Sequence, residues 1–179
     1  MHARLAETMD YVEDRRKELL QSFAGVPGDR LCRRASADGW SVAEILDHLS
    51  MVEAGIARLI AKRAGRAREA GLRDEISTES VLASFDQQRA TLDNSIMQAP
   101  ATVRPRANVD IKEALDGLES SREALRAAAV AADGLSLGEI KHTHPLLGEL
   151  DLYQWLIFVG QHERRHRKQI ERTLNSIPK

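Results

Sequence analysis

The chain has 179 residues, 42% of them apolar and 30% charged with both signs interspersed, so it is long enough for one substantial core and unlike a disordered or membrane protein. A net charge of −1 gives no global field to gather nucleic acid or an anionic membrane, and a single cysteine, Cys32, excludes an internal disulfide framework. The charged N-terminal stretch lacks the apolar centre of a signal peptide, and no run reaches the ~18 apolar residues of a membrane span. The expectation is a single domain, 1–179, in the cytoplasm, with a small-molecule substrate, no nucleic-acid or membrane partner, and a homodimeric state.

The predicted elements are helical. From about His2 to Ala24, Leu5, Met9, Val12, Leu19 and Phe23 share one face, and Gly25, Pro27 and Gly28 end the segment. Arg16 falls inside that stripe, where it either reaches an internal acid or snorkels past the edge. Ser41 and Glu44 form an S-x-x-E capping box that opens a second helix, whose stripe is Val42, Ile45, Leu49, Val52, Ile56 and Leu59. His48 lies on its flank. The basic stretch from Ala61 to Arg73, broken by Gly65 and Gly71, is expected to hold the end of that helix and a loop. Ser77, Thr78 and Glu79 are expected to start an extra helical segment, with Val81, Phe85, Leu92 and Ile96 at helical spacing.

The stretch APATVRPRANVD has prolines at 100 and 105 and no periodicity, so it either covers a site or crosses the surface. Asp110 is a plausible N-cap for a helix carrying Ile111, Leu115, Leu118 and Leu125 inward. Arg122 lies on that inward stripe, as an anion binder for substrate or as one half of an internal salt bridge. The connection to the last helix contains His142 and His144, and Pro145 disfavours helix before it. From Leu150 to Leu174, Leu152, Trp155, Val159, His162, His166, Ile170 and Thr173 fall on one stripe while Arg164, Arg167 and Lys168 point away. The i, i+4 histidines can offer two nitrogens to one metal ion, or each can be a core residue bonded to a polar neighbour. With no convincing strand, the architecture is expected to be all-α.

Three motifs then line up: W-S-x-x-E-x-x-x-H-L from Trp40 to Leu49, H-P-x-x-G from His144 to Gly148, and Q-W-L-x(5)-H-x-x-R-H-x-x-Q from Gln154 to Gln169. In that order they resemble the DinB-like (DinB/YfiT) metalloenzyme superfamily over nearly the whole chain. The resemblance implies a four-helix bundle of up-down-down-up connectivity, here with an extra helical segment between the second and third core helices. It further implies a divalent metal held by His48, His162 and His166.

Three imidazoles suit zinc, nickel or ferrous iron, with zinc or nickel expected, and argue against magnesium or calcium, and three protein ligands leave a coordination position open. Glu44 and Glu163 are the nearest acids in sequence to orient the rings. The function implied by resemblance is metal-dependent S-transfer, in which a low-molecular-weight thiol attacks a small electrophile. The alternative is a non-catalytic, metal-binding or stress-associated bundle protein.

Overall fold

The computed structural model describes residues 1–85 and 100–177. Among the described residues there are four long helices, α1 (Ala3–Gln21), α2 (Val42–Glu69), α3 (Ile111–Ala132) and α4 (Leu152–Ser176), with a single helical turn at Gly28–Leu31. Their starts are written in the sequence. Ser41 and Glu44 close a reciprocal capping box on α2, Asp110 accepts from Lys112 N at the start of α3, and Asp151 and Gln154 make a second capping box on α4.

Contacts fix the directions. Along α2 and α3 the partners climb together: Ser50 lies against Gly117, Glu53 binds Ser121, and Arg68 reaches the carbonyl of Ala131. Along α1 and α4 they do the same, from Tyr11 against Gly160 to Arg16 on Glu163. Between α1 and α3 they run oppositely, with Arg16 on Leu118 O and Glu13 on Arg126. Two helices therefore point one way and two the other.

The core is split into two apolar clusters by a charged layer. One cluster holds Val12, Ile56, Leu125 and Val159, and the other holds Leu19, Leu49, Leu118 and Ile170. Between them each helix contributes a buried polar side chain: Arg16, Glu53, Arg122 with Ser121, and Glu163.

Helix α2 ends at Glu69, within the basic stretch as expected, and Gly71 follows in the left-handed conformation at φ 76°; Gly65 stays helical, because Ile60 and Ala64 still face the core and that packing outweighs the ~1 kcal/mol a helical glycine costs. Two expectations are corrected. No helix starts at Ser77, because the hydroxyls of Ser77 and Ser80 accept from the backbone two residues on and favour turns; a 3₁₀ turn, Leu82–Phe85, closes the described part of the expected extra segment, and the rest of it, with Leu92 and Ile96, lies outside the described residues. The connection before α4 is not strandless: β1 (Lys141–His144) pairs antiparallel with β2 (Gly148–Asp151), Lys141 opposite Asp151. Gly148, at φ 76°, takes the left-handed conformation that the turn after Pro145 requires. No helix among the described residues is long and apolar enough to cross a membrane.

Candidate metal centre

Helix α2 brings in His48, and α4 brings in His162 and His166 one turn apart. Their ligand atoms all lie within 4.8 Å of one another. The meeting atoms are Nε2: those of His48 and His166 stand 3.3 Å and 3.1 Å from that of His162. A tetrahedral zinc with bonds of about 2.0–2.1 Å would separate its nitrogens by about 3.3–3.4 Å.

The remaining ring nitrogens say which atoms carry hydrogen. His48 Nδ1 donates to the carbonyl of Val103 at 2.6 Å, and His166 Nδ1 to the amide oxygen of Gln169 at 2.7 Å. A neutral imidazole has one N–H, so Nε2 of both rings is a bare lone pair. His162 Nε2 can supply at most one hydrogen to two such neighbours. A cation at the point of convergence satisfies all three, and the donor set fits one.

Protonation does not compete with a cation at neutral pH. Burial lowers the pKa of His48, against the pull of the Val103 carbonyl, and burial together with His166 and His48 holds His162 well below the usual range. Burial, and then the His48 ring, lowers His166 to about 3. The positive charge of Arg165 pushes all three the same way.

Aromatic rings wall the cluster. Phe158 stacks on His162 at 5.3 Å between centroids, and Trp40 lies 5.1 Å from His48. His142 and His144 are placed outside the ligand set. The Nδ1 of His142 accepts from Arg63, that of His144 accepts from the amides of Leu146 and Leu147, and both rings pack on Trp155.

The other expected site residues sit elsewhere. Arg122 is 1% exposed, and its guanidinium is committed to Glu53 at 2.6 Å, Glu163 at 2.9 Å, Glu13 and the carbonyl of Val12. It takes the internal salt bridge of its two sequence readings, not the role of a substrate anchor. Burial opposes its charge, but the carboxylates of Glu163 and Glu53 more than offset this and raise its pKa.

Neither acid expected to orient a ring does so. Glu163 holds Arg16 and Arg122, and Glu44 holds Arg34 and the Ser41 amide. The orienting groups are Val103 and Gln169. Gln169 closes the H-x-x-R-H-x-x-Q motif three residues after His166, a legible position on the helix face, whereas a carbonyl on a loop leaves no side-chain signal.

Similarity to known proteins bears on the fold and the family. A crystal structure of TT2238, described as a four-helix bundle protein, aligns with a TM-score of 0.57 at 19% identity, covering 94% of this chain and 98% of that one, which speaks for the fold. YuaE of Bacillus subtilis (strain 168), an uncharacterized protein, is 26% identical over 173 residues, 94% of this chain and 98% of its own. The sequence matches the DinB superfamily over residues 11–170, most of its length, and the chain belongs to that family.

Proposed function

We propose that the protein binds one divalent transition ion, zinc or nickel, on His48, His162 and His166 and uses it to activate a small thiol for transfer to an electrophile. The observation that carries the metal site is the convergence of three Nε2 atoms, two of them fixed as lone pairs by Val103 and Gln169. Such an ion lowers the pKa of a thiol or water in its open position.

The charge balance favours an anion there. Three neutral imidazoles leave a divalent charge uncompensated, and Arg165 adds to the positive field. Asp47, the acid next to His48 in sequence, is engaged by Arg106. The chain offers no thiol of its own among the three imidazoles, since Cys32 is exposed and precedes α2. An external thiol is then the nucleophile: its proton goes to solvent, a carbon–sulfur bond forms, and the leaving group departs with the bonding pair.

The test is metal-dependent consumption of thiol with a generic alkylating electrophile, run with bacillithiol, mycothiol and simpler thiols on zinc-loaded, nickel-loaded and metal-free protein. Consumption that follows the metal supports transfer. A metal-loaded protein that consumes no thiol contradicts it and leaves a non-catalytic metal-binding role.

A further inference from the structure

The segment from Pro100 to Val109 forms a strap that runs antiparallel along the first turns of α2 and is fastened at three points. The amide of Asn108 reaches Glu44 at 3.4 Å. Arg106 binds Asp47 with its backbone N–H at 2.8 Å and with guanidinium Nη2 at 2.7 Å. The carbonyl of Val103 receives His48 Nδ1–H at 2.6 Å. Glu44, Asp47 and His48, at i, i+3 and i+4, present these anchors on one helix face.

We propose that the Asp47–Arg106 pair is the clasp of this strap, positioning the Val103 carbonyl so that His48 is held in the tautomer and orientation that turn Nε2 toward His162 and His166. The inference rests on the metal-site reading and gives it a positioning residue outside the ligand set. The lever is short and stiff. Only Arg104 and Pro105 separate the pinned residue from Val103; Pro105 has its φ fixed by its ring and keeps Arg104 extended at φ −66°, ψ 137°. On the far side, Val103 closes a 3₁₀ turn, its amide bonded to Pro100 O at 3.0 Å. The Asp47 side chain is 3% exposed and Arg106 makes a forked contact with it, so the clasp is fixed at its buried end. Arg106 also binds Glu113, but both of those side chains are 56% exposed and that contact is screened by water.

The clasp is tested with Arg106→Ala, a change at a largely exposed side chain, against Arg106→Lys and Glu113→Ala. Two readouts are taken: the nitrogen NMR spectrum of the His48 ring in metal-free protein, and zinc affinity by competition with a chelator. Wild type and Glu113→Ala are expected to show a protonated Nδ1 on His48. Arg106→Ala is expected to show mixed tautomers and zinc binding weaker by about tenfold, with Arg106→Lys in between. Arg106→Ala with the wild-type His48 spectrum, or with wild-type zinc affinity beside mixed tautomers, overturns the proposal. If wild type takes up no zinc, the metal reading falls by itself, and the metal-free His48 spectra still decide for or against the clasp.

Discussion

His166 is neutral in the folded, metal-free protein because burial and the neighbouring His48 ring lower its pKa to about 3 from an ordinary 6.5. An unfolded chain takes up a proton at that residue as the pH falls through 6.5, and the folded chain does not until far lower. Stability is therefore complete above 6.5 and declines as the pH falls through the window between those values, by up to about 1.4 kcal/mol per pH unit for each such group. Urea midpoints of metal-free protein should drop between pH 7 and pH 5, and drop less in His166→Gln. A flat profile contradicts the buried neutral ring. Much of this site was legible in the sequence. The spacing of His162 and His166 put both on the inward stripe, and resemblance added His48 from another helix. Val103 was hidden, since its part is played by a carbonyl that any residue could supply, and Arg122 was legible only as a choice between two roles.

At the scale of elements, the charged layer decides how the helices meet. Arg122 from α3 binds Glu53 of α2 and Glu163 of α4, and Arg16 from α1 binds the same two acids. Replacing Arg122 with Met should cost about 3–5 kcal/mol in urea unfolding, because it leaves buried carboxylate charge undercompensated. A loss below 1 kcal/mol would mean the acids are satisfied without it.

Close approach of α1 to α4 depends on Gly160, where an added Cβ would stand 2.5 Å from Tyr11 Cε1 and 3.0 Å from Arg15 Cγ. Gly160→Ala should destabilise by about 1–3 kcal/mol by forcing α1 outward, which parallel melting curves can check; an unchanged midpoint would show that Tyr11 simply turns aside. The long helices were legible because their apolar stripes and caps agree. The hairpin before α4 was not, because Pro145 signals only an interruption, while a distant partner that holds it, such as Trp155 for the His142 carbonyl, is invisible along the chain.

Across the whole molecule, the histidine cluster is a neighbour of the charged layer: on α2 His48 precedes Glu53 by five residues, about 7.5 Å of helix rise, and on α4 Glu163 falls between His162 and His166 in sequence. An ion there would tie α2 to α4, which are distant in sequence. Binding to the folded chain alone raises stability by mass action, by about 2.7 kcal/mol at a free ion concentration of 100 times Kd. Zinc or nickel should therefore raise the unfolding midpoint of wild type and leave that of His162→Ala unchanged. An equal rise in both would place the ion elsewhere.

The most direct measurement is the metal content, by elemental analysis, of wild type and of His48→Ala, His162→Ala and His166→Ala made in metal-replete medium, with circular dichroism of each as a check on folding. The account predicts about one divalent transition ion per wild-type chain and a large loss in each variant while the helical signal persists. Equal metal content in all four proteins, or none in wild type even after titration with zinc and nickel, would contradict it.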